Sequence, residues 1–94
     1  MVRIREAIIV EGRYDKNTLS QIVDAPILET SGFGIFKDKE KCELIKTFAK
    51  KDGVIVLTDS DSAGNLIRAH IKNIVGDSKI TNVFFTYITC SLSN

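Results

Sequence analysis

Four consecutive apolar residues, Ala7-Ile8-Ile9-Val10, restrict the folding choices of this chain more than any other stretch. Successive side chains of a strand point to opposite faces, so an unbroken apolar run needs cover on both sides of its sheet. That is the mark of a mainly parallel sheet with helices on its faces. The run stops at Glu11-Gly12, too short for a signal-peptide core. Nothing else in the chain approaches the ~20 apolar residues of a membrane span. A cytoplasmic protein with no membrane partner is expected.

The remaining sequence alternates helical and extended spacing. Asp15 is placed to cap a helix to about Val23, with Leu19, Ile22 and Val23 on one face. Pro26–Glu29 reads as a second, shorter strand, and Thr30 to Phe36 as a glycine-bearing loop. Asp38 caps a helix to about Lys51, whose stripe is Leu44, Ile45, Phe48 and Ala49. Asp52-Gly53 ends it. Val54–Thr58, β-branched and uncharged, is the clearest strand in the chain. Ser62 caps a helix to about Val75 with Leu66, Ile67, Ile71, Ile74 and Val75 buried, and Gly76 ends it. Ile80 to about Ile88 gives a fourth strand. Residues 1–88 then form a single α/β domain, and Thr89–Asn94 is expected to fray.

Charge limits the choice of partners. The formal net charge is +1, which argues against a broad non-specific phosphate footprint but leaves room for a local basic rim. Cys42 and Cys90 have no second cysteine or histidine at metal-ligand spacing, so they read as reduced, inert thiols rather than a zinc site.

The acids carry the chemistry. Glu11 lies just past the first strand, and Asp59 and Asp61 just past the third. Ligands of open parallel sheets bind beyond the carboxyl ends of the strands. If those two strands are neighbours, the three acids converge. Two unit charges ~4 Å apart repel by about 4 kcal/mol at an effective dielectric near 20, so either a carboxylate takes up a proton or a cation binds between them. A set of oxygen ligands with no histidine nearby in sequence suits Mg²⁺. Gly64, close behind in Asp59-Ser60-Asp61-Ser62-Ala63-Gly64, lets backbone or substrate approach closely. Each acid also has an ordinary role open to it: Asp61 or Ser62 suits a helix cap, and Asp15 fits a cap as readily as a ligand.

Two motifs bring a family into view. Val10-Glu11-Gly12-Arg13-Tyr14-Asp15 resembles hydrophobic-Glu-Gly-x-x-Asp, and Asp59-Ser60-Asp61-Ser62-Ala63-Gly64 resembles Asp-x-Asp-x-x-Gly. In this order and with this alternation between them, they are similar to the paired motifs of the Toprim domain of bacterial primases, topoisomerases and certain nucleases. The resemblance implies a three-layer α/β/α sandwich with a mainly parallel four-stranded sheet. It implies Glu11 as general acid/base or metal ligand, Asp59 and Asp61 as Mg²⁺ ligands, and Asp15 as a further metal position. The start of the chain, the short span between motifs and Glu29-Thr30-Ser31-Gly32 resemble the small Toprim ribonucleases that mature 5S ribosomal RNA. That likeness implies Mg²⁺-dependent cleavage of a structured RNA precursor with a ribosomal protein as helper. Such proteins usually carry a further C-terminal segment, which this chain is expected to lack.

Basic residues are placed to meet phosphates. Arg13 follows Glu11 by two positions, Arg68 and Lys72 lie one turn apart on the third helix, and Lys37, Lys39 and Lys41 follow the second strand. His70 is expected on the helix surface or partly buried. Phe33 and Phe36 are expected to pack in the core, with base stacking as the alternative. A phosphoacceptor receiver domain would need two adjacent acids after the first strand, and Gly12 follows Glu11. Gly32-Phe33-Gly34 lacks the third glycine of a dinucleotide-binding turn. The rivals that remain are a non-catalytic Toprim-like module binding metal and nucleic acid or a partner protein, and a primase-like domain acting on DNA.

Overall fold

The computed structural model describes residues 1–59 and 61–85, the last three as backbone only. Its elements are β1 (Val2–Arg3), β2 (Ala7–Val10), α1 (Arg13–Ser20), β3 (Val23–Asp24), β4 (Ile27–Glu29), a 3-10 turn (Gly32–Lys37), α2 (Lys39–Lys51), β5 (Val54–Asp59), α3 (Ser62–Val75) and β6 (Ile80–Phe85). The expected continuation of the last strand to Ile88, the tail Thr89–Asn94, Ser60 and Cys90 lie outside the described residues.

The main sheet runs β4-β2-β5-β6 and every pairing in it is parallel. The apolar run that opened the reading is its β2, and all four residues are buried, as cover on both faces demands. In the β2–β5 pairing, Ala7 stands opposite Val54 and Ile9 opposite Val56. These four share one face and form the core with Ile45 and Ala49 of α2 and Ile67, Ile71 and Val75 of α3. Each buried Ile or Val contributes about 1.5–3 kcal/mol of hydrophobic stabilisation. On β5 burial alternates, with Val54, Val56 and Thr58 buried and Ile55 and Leu57 half-buried.

The chain steps from β2 to β4 in one direction and from β4 to β5 to β6 in the other. Right-handed crossovers therefore put α1 on the opposite face from α2 and α3. The direction reverses between β2 and β5, and the carboxyl ends of those two strands flank the crevice where such sheets bind ligands.

Several local expectations need correction. Asp15 does not cap α1. The helix begins earlier, at Arg13 with Gly12 as its N-cap, which leaves Asp15 in the first turn. Val23 is not helical: α1 ends at Ser20, and Val23–Asp24 pairs in parallel with Val2–Arg3 as a second, two-stranded sheet. Asp61, not Ser62, caps α3, its Oδ1 accepting from the Gly64 N–H at 2.7 Å. Leu44 and Leu66 fall on the shoulders of their helices, 43% and 57% exposed. The loop after β4 is largely the 3-10 turn. The Asp38 cap stands as expected, its carboxylate accepting from the Lys41 N–H at 2.9 Å.

Candidate functional site

Glu11 is the first residue beyond β2, and Asp59 is the last of β5. Because β2 and β5 are hydrogen-bonded neighbours, both acids leave the sheet at one place. The Glu11 side chain bridges the gap, Oε1 accepting from the Asp59 N–H at 3.2 Å. Asp61 sits two residues on at the start of α3, and its cap holds the Asp59–Gly64 turn in shape. Asp15, half-buried in the first turn of α1, completes the group.

Burial and charge both act on the acids at this edge. Partial burial pushes the Glu11 carboxyl above its ordinary value. The Asp59 N–H opposes the shift, while the charges of Asp61, Asp59 and Asp15 reinforce it. Burial likewise raises Asp15, helped by the charge of Asp59. Glu11 and Asp15 thus both stand in the negative field of Asp59. No three His, Cys, Asp or Glu side chains among the described residues are already drawn together as a metal cage. The donor set is all hard oxygen, which fits a Mg²⁺-type ion that keeps several of its waters and needs only one or two carboxylates.

Gly64 is buried against this turn. A methyl group there would overlap the Asp59 carbonyl oxygen and lie 3.0 Å from Thr58 Oγ1 and 3.1 Å from Asp61 Oδ1. Only glycine lets α3 begin so close to the end of β5.

The basic residues divide. Arg13 stands exposed at the start of α1, with Nε 3.9 Å from Glu29 Oε1. Such a surface pair contributes little and yields readily to a phosphate. Lys37 and Lys39 are exposed after β4, and Lys41 donates from Nζ to the Glu29 carbonyl oxygen at 2.6 Å. Arg68 does not join a phosphate track. It is 7% exposed, and its Nη1 donates to the Val56 carbonyl at 3.1 Å and to Asn82 Oδ1 at 2.9 Å. Its Nη2 donates to the Thr58 carbonyl at 3.4 Å. Burial lowers the Arg68 pKa, opposed by the charge of Glu11. The residue ties α3 to the carboxyl half of β5 from behind, a role the sequence reading missed. Its spacing offered the signal, because Gly64, Ile67, Arg68, Ile71 and Val75 form one helical stripe. Lys72 is exposed in the last turn of α3. It lies ten residues, or about 15 Å of helix, beyond Ser62, away from the acids.

Phe33 and Phe36 are not core residues either. They stand 52% and 42% exposed. His70, half-buried on α3, packs edge-on against Phe36 with centroids 4.5 Å apart. Cys42 is half-buried, its thiol held above its ordinary pKa first by burial and then by the charge of Asp38, the state of an inert thiol.

Residues 6–89 match the family described as Toprim domain. The chain is 38% identical over 78 residues to ribonuclease M5 of Borreliella burgdorferi, covering 83% of this chain and 42% of that protein. With ribonuclease M5 of Mycoplasma capricolum subsp. capricolum the identity is 41% over 86 residues, covering 89% and 46%. With that of Clostridium botulinum it is 44% over 72 residues, covering 77% and 39%. The chain thus spans less than half the length of these relatives. No described helix is long and apolar enough to cross a membrane.

Proposed function

This chain belongs to the Toprim domain family, and on that premise we propose that it carries Mg²⁺-dependent endonucleolytic cleavage of structured RNA. By its likeness to the ribonucleases M5, the substrate we propose is a 5S ribosomal RNA precursor, presented with a ribosomal protein. Domains of this family are generally metal-dependent. The observation that carries the reading is the Glu11 Oε1 to Asp59 N–H bond across the β2–β5 switch point. It brings the acids of both motifs to one crevice.

Asp59 and Asp61 would hold the ion, with Glu11 and Asp15 beside it. When bound, the metal supplies a positive centre for the scissile phosphate oxygens. The protein's own groups supply the rest. Glu11, with its raised pKa, is suited to take the proton of an attacking water. Arg13 and Lys37, exposed on the rim, orient flanking phosphates. The Asp61 cap and the Gly64 contact keep Asp59 and Asp61 in a fixed relation. The likeness to the ribonucleases M5 favours a nuclease over a primase-like role.

The test is Mg²⁺ titration of the purified chain by NMR, with wild type beside Asp59→Asn/Asp61→Asn, followed by cleavage of a structured RNA. Saturable shifts at Glu11, Asp59 and Asp61 that vanish in the variant, together with Mg²⁺-dependent scission, support the reading. A folded wild type with neither would put the non-catalytic module in its place.

A further inference from the structure

The 3-10 turn between β4 and α2 carries two aromatic rings that the core does not use. Its inward residue is Ile35, fully buried among the core residues of α2 and α3. The Cys42 thiol donates to the Ile35 carbonyl at 3.4 Å and fastens the turn to α2. With three residues per turn, positions i and i+3 fall on one side. Phe33 and Phe36 therefore share a side, stacked with centroids 5.6 Å apart and planes 26° from parallel. The edge-on contact with His70 braces Phe36 from α3.

The turn that carries this shelf is anchored at Glu11. The Gly32 N–H donates to the Glu11 carbonyl at 3.1 Å, one residue before Phe33. Thr30, buried, donates through Oγ1 to the same carbonyl at 3.3 Å. Ser31 and Gly32 both take positive φ, 55° and 61°, which turns the chain sharply at this edge, and both rings beyond it stand exposed. Lys37, exposed, closes the same turn.

We propose that Phe33 and Phe36, on the turn anchored at Glu11, form a stacking shelf for an unpaired RNA base, with Lys37 meeting the adjoining phosphate. The proposal rests on the ribonuclease reading and adds to it the substrate feature recognised. A nucleobase suits the shelf better than a protein surface. The pair is small, its neighbours Ser31, Gly34 and Lys37 are polar or lack a side chain, and a cation stands one residue from the second ring. A protein-docking patch is normally a broader apolar area. Every base has a π-face, so stacking selects for unpaired bases rather than for a sequence.

The chain contains no tryptophan, so Phe33→Trp creates a single fluorescent reporter. The titrants are two RNAs with the same stem, one with a single-stranded loop and one fully paired, in EDTA to prevent cleavage. The looped RNA is expected to quench the reporter saturably and the paired one not. Phe33→Leu should bind the looped RNA about five- to a hundredfold more weakly, and Phe33→Tyr within about twofold of wild type. Lys37→Gln should lower the salt slope of binding by about one. Circular dichroism verifies that each variant is folded, as expected for exposed positions. Unchanged affinity in Phe33→Leu overturns the proposal and assigns the rings to a protein contact. Equal unquenched binding of both RNAs, or binding of neither, overturns it as well. Loss of Mg²⁺ shifts and of cleavage with quenching intact would instead sink the nuclease reading and leave the shelf standing.

Discussion

Replacing Gly64 with alanine is the sharpest test of how the site is built. In an ordinary helix interior this change stabilises by about 1 kcal/mol. Here the new methyl meets the Asp59 carbonyl oxygen, Thr58 Oγ1 and Asp61 Oδ1 together. Two of these are polar atoms on the strand end and the third is the helix cap, so none is the free end of a flexible side chain. Overpacking of a close-packed contact costs about 1–3 kcal/mol. If Asp61 gives way, the lost cap adds roughly 1 kcal/mol. Set against the propensity gain, the net is a destabilisation of up to about 2 kcal/mol with the cap kept and about 1–3 kcal/mol with it lost. In a domain of this size each kcal/mol lowers Tm by roughly 4–8 °C. Thermal and urea unfolding followed by circular dichroism measure the loss. The same variant should bind Mg²⁺ more weakly, because relief of the clash moves either Asp59 or Asp61. A variant as stable as wild type or more so, with undisturbed Mg²⁺ shifts, would refute the close approach of α3 to β5.

Three further outcomes follow from the same geometry. Asp61→Asn should keep the cap and cost only a few tenths of a kcal/mol, while Asp61→Ala should cost about 1 kcal/mol; if the Asn variant retains the Mg²⁺ shifts of wild type, Asp61 is a cap and not a ligand. Arg68→Leu strips donors from the Val56 and Thr58 carbonyls and from Asn82 and should lower stability by about 1–3 kcal/mol, read as a lower urea midpoint at constant m. Because Glu11 and Asp15 have raised native pKa values, the folded state holds their protons more tightly than the unfolded chain, so without metal stability should rise as pH falls from neutral through the raised values and level off below the ordinary ones. Mg²⁺ should raise Tm more at neutral than at acid pH, Glu11→Gln should flatten the metal-free profile, and a metal-free Tm that climbs with pH over this window would contradict the assignment.

What the sequence disclosed depended on the length of the physical signal. Ala7–Val10 and Val54–Thr58 are uncharged runs long enough to read as strands, and their neighbourhood could be inferred from the motifs they carry. β1 and β3 are two residues each, too short for any period, and arise from pairing across the chain. The start of α3 was ambiguous by one residue because Asp61 and Ser62 are both good caps, and the Gly64 amide selected Asp61. Arg68 and Lys72 lie one turn apart, a spacing that suits a phosphate track, and an arginine is almost never buried without partners. The partners here are backbone carbonyls of β5, which no side-chain pattern announces. Phe33 and Phe36 suit either the core or a stacked base on sequence alone. The three-residue turn places Ile35 inward and both rings outward, a geometry that the loop assignment did not contain.

The direction of the carboxylate shifts bears on whether these acids serve the fold or a ligand. A carboxylate kept only as a cap or an ion-pair partner gains from its neighbours, and its pKa falls. Glu11 accepts an N–H bond that acts in that direction, and its pKa is raised nonetheless. Asp15 sits in the first turn of α1, where a helix dipole favours negative charge, and is also raised. On the rim, Arg13 and Lys41 both turn to Glu29, and although Arg68 and Glu11 attract each other, the net Glu11 shift stays upward. Burial and neighbouring charge at Glu11 and Asp15 therefore oppose stability at neutral pH, beside the crevice at the β2–β5 switch point. Raised carboxylates in a crevice mark a candidate site, and a divalent cation bound there would lower both values again.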